Sequence, residues 1–158
     1  MRIEKAGFAD VDALTTLRLE YLIEDNGSLA HSDAEMIRNN LPGYIREHLK
    51  KDLFAYVIRE DDTIVSCAFL LIVMKPMSPA FINGKTATVL NVYTLPAYRR
   101  RGYARMLMNA MIADAKELNI DVIELKATED GYDLYRSVGF EDDRSKYHLM
   151  KWKAQQEA

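Results

Sequence analysis

Tyr93-Thr94-Leu95-Pro96-Ala97-Tyr98-Arg99-Arg100-Arg101-Gly102-Tyr103-Ala104 reads as the end of an apolar strand, a short turn, and a basic glycine-containing loop that opens an amphipathic helix. That order aims successive backbone N–H groups, a helix N-terminus and several arginines at one point, which suits a phosphorylated ligand. Gly102 lets the backbone approach such a ligand closely, and Ala104 is small enough to leave it room. No Gly-Lys-Ser/Thr follows, so the loop is not a Walker motif, and a single glycine does not make a dinucleotide fingerprint. A solvated basic turn before a helix would present the same residues, and the stretch by itself leaves both readings open.

Working outward, Thr86–Thr94 has strand character, and Gly102–Leu118 places Ala104, Leu107, Met108, Met111, Ile112, Ala115 and Leu118 at helical spacing. Asp121–Ala127 reads as a strand after that helix, which makes a βαβ unit with parallel strands. On the N-terminal side Arg2–Lys5 is a short strand. Asp10 is placed to cap a helix carrying Val11, Leu14, Leu17, Tyr21 and Leu22, and Asn26-Gly27-Ser28 ends it. A second helical pattern starts near Asp33 and is interrupted by Pro42-Gly43, which predicts a kinked helix or two short ones. Leu53–Arg59 and Ile64–Val73 are strands joined by a Glu60-Asp61-Asp62 turn. Lys75–Lys85 is a loop or a broken hairpin. Downstream come a short helix near Gly131–Val138, a Gly139-Phe140 corner and a final strand, Lys146–Trp152. The order β-α-α-β-β-β-α-β-α-β predicts an α/β (α+β) fold, with a mixed, mainly antiparallel sheet of six to seven strands and helices on both faces.

The 158 residues suit a single domain, 1–158, long enough to bury its core without staples. A hydrophobic share of 49% with 28% charged residues is that of an ordinary globular chain. The lone Cys67 excludes an internal disulfide framework and any multi-cysteine metal site, and its apolar run predicts a buried, inert thiol. No metal site is expected. No apolar stretch approaches the length of a membrane span and no signal-peptide core is present, which predicts a cytoplasmic protein. A net charge of −3 argues against a nucleic-acid partner, because backbone phosphates call for a basic face.

The loop gains meaning from its surroundings. An apolar strand, Pro96, and then Arg99-x-x-Gly102-x-Ala104 opening a helix resembles the cofactor loop of the GNAT superfamily of N-acetyltransferases, whose pattern is Gln/Arg-x-x-Gly-x-Gly/Ala. Leu134-Tyr135-Arg136-Ser137-Val138-Gly139-Phe140 resembles the same family's Leu-Tyr-x-x-x-Gly-Phe segment. The resemblance is motif-grade over about Val89–Phe140 and covers the whole element order. It implies acetyl-CoA as cofactor, held where the parallel pair splays. Pantetheine would lie along Val92, Tyr93 and Thr94, and the pyrophosphate on Arg99, Arg100, Arg101, Gly102, Tyr103 and Ala104. Two positions depart from the family pattern. Many members have Gly where Arg100 stands, and Asn, often a pantetheine contact, where Thr128 stands.

By the same resemblance Tyr135 matches the tyrosine that serves as general acid. A phenol at pKa about 10 facing an alkyl thiol at about 8.5 would transfer its proton uphill by roughly 2 kcal/mol, so Tyr135 either hydrogen-bonds the thiolate or has a lowered pKa. A packing role on a short amphipathic helix is the alternative. Tyr132 and His148 read as structural residues. Asn91 can orient a water but cannot take a proton. Glu20 and Glu24, one turn apart, are either amine-binding or water-relaying carboxylates or ordinary exposed helix charges. The resemblance thus implies acetyl transfer to a primary amine, small molecule or peptide, by direct attack in a ternary complex, and it allows a homodimer. The rival reading is a non-catalytic acyl-CoA-binding sensor or interaction module that keeps the loop without turnover.

Overall fold

Leu53–Glu60 (β2) and Thr63–Met74 (β3) bury side chains at consecutive rather than alternate positions, as strands covered on both faces do. In the computed structural model, which describes residues 1–154, they are the centre of a five-stranded sheet of order β1-β2-β3-β4-β5. Its other strands are Arg2–Lys5 (β1), Lys85–Thr94 (β4) and Val122–Glu124 (β5). Pairing is antiparallel from β1 to β4 and parallel between β4 and β5. Asp61 (φ 46°) and Asp62 (φ 64°) turn β2 into β3 in the left-handed conformation, the geometry of a tight hairpin that short aspartates tolerate.

Helices Val11–Asn26 (α1) and His31–His48 (α2) cover one face, where Leu14, Leu17, Ile45 and Leu49 pack with Val57, Cys67 and Tyr93. Tyr103–Glu117 (α3) covers the other through Leu107, Met108 and Met111 against Ile58, Leu70 and Val89. The helix Tyr132–Ser137 (α4) follows β5. The mixed, mainly antiparallel sheet with helices on both faces is therefore the architecture expected from the sequence.

Some expectations change. Among the described residues the sheet has five strands, not six to seven. Lys146–Trp152 forms no strand, and its Tyr147, Leu149, Met150 and Trp152 side chains are exposed. Strand propensity is realised only against a partner edge, and β5 keeps its ladder for just the three residues paired with Thr86–Thr88. Pro42 does not split the second helix, which runs unbroken from His31 to His48. The ladder bond that proline removes is offset by the buried Ile45 and Leu49 beyond it. Asp10 stands at the N-cap position of α1, as expected, but its side chain makes no capping bond to that helix. Its carboxylate accepts from the Gly7 N–H at 2.9 Å and from Arg59 Nη2 at 2.7 Å, which closes the preceding 3₁₀ turn instead.

One irregularity positions the site. Cys67 pairs with Tyr93 but Phe69 pairs with Leu90, so Asn91 and Val92 of β4 stand opposite the single residue Ala68. Asn91 takes φ 54°, which asparagine accepts more readily than other side chains. The extra residue reverses the alternation. Ala87, Val89 and Val92 face the α3 side, while Tyr93 joins the α1/α2 side.

Candidate functional site

Beyond Thr88 the outer edge of β4 has no strand beside it among the described residues, because β5 has ended. The Leu95 N–H donates to the Val65 carbonyl at 2.9 Å. By the alternation of an antiparallel ladder, Tyr93 also faces β3, and the peptide groups of Val92 and Thr94 face the open edge. A cleft of about 630 Å³ lies there, floored by Val92, Tyr93 and Thr94 and closed by the 99–105 loop on one side and by Thr128 and Tyr135 on the other.

The loop is shaped by two left-handed residues, Arg100 (φ 63°) and Gly102 (φ 78°). Gly102 is the N-cap of α3. Among the described residues the N–H groups of Arg100, Arg101, Gly102, Tyr103, Ala104 and Arg105 have no hydrogen-bond acceptor, and the Met106 N–H is the first to be taken, by the Gly102 carbonyl at 3.1 Å. These are the orphan donors of a helix start joined to a nest. A side chain at Gly102 would meet no atom within 4 Å, so the backbone there is open to a ligand. An elongated ligand bearing phosphates fits this arrangement.

The arginine side chains divide their duties. Arg99 lines the cleft, but its guanidinium is committed: Nη1 and Nη2 donate to Glu24 Oε1 and Oε2 at 2.7 and 2.6 Å, and Nε donates to the Thr94 carbonyl at 2.8 Å. Glu24 is held below the ordinary carboxylate range chiefly by that pair. The pair clamps the end of α1 to the loop, so Glu24 presents no free carboxylate. Arg100 lines the cleft. Arg101 does not; it lies over the Tyr98 ring, 4.9 Å from its centroid. The Tyr103 hydroxyl is turned away to Glu60, leaving its main chain beside the cleft.

Tyr135 reaches the cleft from α4. Its hydroxyl has no partner among the described residues, and its ring meets Phe140 edge-on at 6.1 Å. Burial first, and the Tyr21 phenol second, push it up to about 12. The Thr128 hydroxyl accepts from the Gly131 N–H at 3.1 Å and so shapes the turn before α4. Asn91 is buried rather than in the cleft, with its Nδ2 donating to Cys67 Sγ at 3.4 Å. Glu20 is half-buried outside the cleft lining. Burial, then the charges of Glu24 and Glu20, raise the Tyr93 phenol.

Three contributors were not legible as site residues. Tyr21 lines the cleft and meets Tyr93 edge-on at 6.4 Å; in the sequence it belongs to the apolar stripe of α1. Arg105 lines the cleft and donates to Ser137 Oγ at 2.6 Å, tying α3 to α4. At Gly131 a Cβ would lie 2.8 Å from the Tyr135 ring and 3.2 Å from Thr128 Oγ1, so this glycine makes room for the tyrosine.

The model of the acetyltransferase (GNAT) family matches residues 14–140. Among solved structures, a predicted acetyltransferase of Clostridium acetobutylicum, crystallised with acetyl-CoA, is 27% identical with a TM-score of 0.82, over 94% of this chain and 95% of that one. A GCN5-related N-acetyltransferase of Ralstonia eutropha shares the fold at 23% identity and a TM-score of 0.79, over 94% of this chain and 97% of that one. No curated protein matches the chain in sequence.

Proposed function

Because the chain belongs to the acetyltransferase (GNAT) family, we propose that it moves the acetyl group of acetyl-CoA to a primary amine by direct attack in a ternary complex. The observation that carries this reading is the Asn91–Val92 bulge, which turns unpaired strand edge into the same cleft as the arginine loop and Tyr135.

The donor set fits the cofactor. Six free N–H groups around two left-handed residues suit a pyrophosphate. The peptide edges of Val92 and Thr94 suit an amide-bearing arm laid beside β4 like a missing strand. Val92 offers both its groups, whereas the Thr94 carbonyl is already taken by Arg99. Thr128 presents a hydroxyl at the other wall. Bound here, acetyl-CoA supplies an acetyl group activated as a thioester.

The chain's own residues supply the rest. The Val92 N–H, free of any ladder, is the donor for the acyl oxygen as it gains charge. The Tyr135 hydroxyl donates to the departing sulfur. Glu20 lies outside the cleft lining but near enough for its charge to act on the Tyr93 phenol, and from there it would take the proton of the amine through water. Cys67 is no nucleophile, because full burial pushes its thiol up to about 12. This supports transfer without an acyl-enzyme.

Calorimetric titration with acetyl-CoA, CoA and ATP, followed by thiol release with a panel of amines, tests the reading. Micromolar binding of both CoA species over ATP, with amine-dependent thiol release, is the expected result. Binding with no release by any amine would leave an acyl-CoA-binding module instead, and no binding would overturn the assignment. Gly131→Ala is expected to push the Tyr135 ring out of place and lower kcat about tenfold, since displacements near 1 Å at reacting groups cost that much or more. Gly131 has φ −87°, so the backbone accepts alanine without strain and the melting temperature reports little change.

A further inference from the structure

Among the described residues two arginines, Arg59 and Arg18, are not exposed, and they differ in one respect. Arg59 is bonded to the carboxylates of Glu4 and Asp10. Arg18 has no ion pair among the described residues. Its polar contact there is a long 3.5 Å approach of Nη1 to Asn91 Oδ1, and its guanidinium also lies 5.9 Å from the centroid of the Tyr21 ring. A half-buried guanidinium with one long hydrogen bond and no ion pair among the described residues keeps most of its donors available to a ligand. It sits beside Asn91 of the β4 bulge, on the α1/α2 side of the sheet.

Arg18 also forms the polar end of a second groove, about 340 Å³, between α1 and α2. The rest of its wall is mostly apolar: Leu22, Met36, Ile37, Leu41 and Tyr44, with Asn40. A groove of this volume takes a small molecule rather than a folded partner. We propose that it binds the acceptor, and that the acceptor is an amine bearing a carboxylate and an apolar body, the chemistry of an apolar or aromatic α-amino acid. Arg18 takes the carboxylate with its planar fork, the aliphatic wall takes the side chain, and the amine is left directed toward the Asn91–Val92 bulge. This deepens the acetyl-transfer reading and rests on it. Arg18 is a specificity-determining residue; it takes no part in the chemistry.

The test compares L-phenylalanine with 2-phenylethylamine, which differ by the carboxylate, and with L-aspartate, which lacks the apolar body. A hydrogen-bonded charge pair of this kind is worth about 10- to 100-fold. The expected result is a preference of that size in kcat/KM for L-phenylalanine over 2-phenylethylamine, expressed mainly in KM, with L-aspartate poorer than L-phenylalanine. Arg18→Gln is expected to bring the ratio of the first two near one, and Arg18→Lys to restore part of it. Independently of turnover, 3-phenylpropionate should bind the wild-type protein more tightly than 3-phenylpropan-1-ol by a similar factor. That comparison needs no variant to fold. Equal use of the two amines, equal binding of the two probes, or an unchanged ratio in Arg18→Gln would overturn the inference. If acetyl-CoA binds and 2-phenylethylamine alone releases thiol, the inference fails while acetyl transfer stands. If acetyl-CoA does not bind, both fall.

Discussion

Tyr135→Phe is expected to lower kcat by about 10²- to 10³-fold while leaving acetyl-CoA affinity within a few-fold, as loss of one positioned proton donor does. The ring fills the space left by Gly131 and meets Phe140 edge-on, and phenylalanine keeps both contacts. Only the hydroxyl disappears, and among the described residues that hydroxyl has no partner to leave unsatisfied.

The pH dependence follows from the direction of the shift. Burial lifts the phenol to about 12, so it stays protonated, and able to donate, through the whole range below that value. Against an alkyl thiol near 8.5 the gap is about 3.5 units, or roughly 5 kcal/mol uphill for full proton transfer. Hydrogen bonding to the sulfur as its charge develops is therefore the role the site allows, rather than complete protonation ahead of bond breaking. The acidic limb of the wild-type rate should come from deprotonation of the amine and should persist unchanged in Tyr135→Phe. A new or shifted limb between pH 6 and 10 in the wild type, absent from the variant, would show that Tyr135 itself titrates there and would sink this account. So would a kcat for the variant within threefold of the wild type.

Why the loop and the helices were legible while the bulge was not has a physical basis. The 99–104 segment announces itself because a positive-φ glycine, a helix start and clustered arginines are all written in local sequence. Amphipathic spacing likewise set α1, α2 and α3. The bulge is different. It depends on register between β3 and β4, and Asn91-Val92 carries no local mark beyond asparagine's tolerance of the left-handed region. The pairing of Glu24 with Arg99 joins residues 75 positions apart, so in sequence Glu24 is indistinguishable from any exposed helix carboxylate. Lys146–Trp152 erred in the opposite direction. Its composition favours a strand, but pairing needs an edge, and β5 provides one for only three residues. Arg18 was hidden in the same way as Tyr21, inside a helix whose apolar stripe accounted for its neighbours.

Gly102→Asp is expected to weaken acetyl-CoA binding by at least 100-fold while the protein stays folded, and the two halves of that statement have separate causes. At φ 78° any non-glycine residue is strained, by about 1–2 kcal/mol. Aspartate offsets part of this, because position 102 is the N-cap of α3 and a carboxylate there can accept from the orphan N–H groups of the first turn. No atom lies within 4 Å of the new Cβ, so no clash adds to the cost. The melting temperature should therefore fall by only a few degrees. For the ligand the same carboxylate is damaging twice over: it occupies the N–H donors the pyrophosphate needs, and it places like charge beside it. Two unit charges about 4 Å apart near a protein surface repel by about 4 kcal/mol, more than the backbone strain. Gly102→Ala separates the terms, because it carries the strain and the bulk of a Cβ without the charge, and should bind acetyl-CoA with an intermediate loss near tenfold. Calorimetry on the two variants decides the matter. If Gly102→Asp melts normally and still binds acetyl-CoA as tightly as Gly102→Ala, the loop does not hold the phosphates.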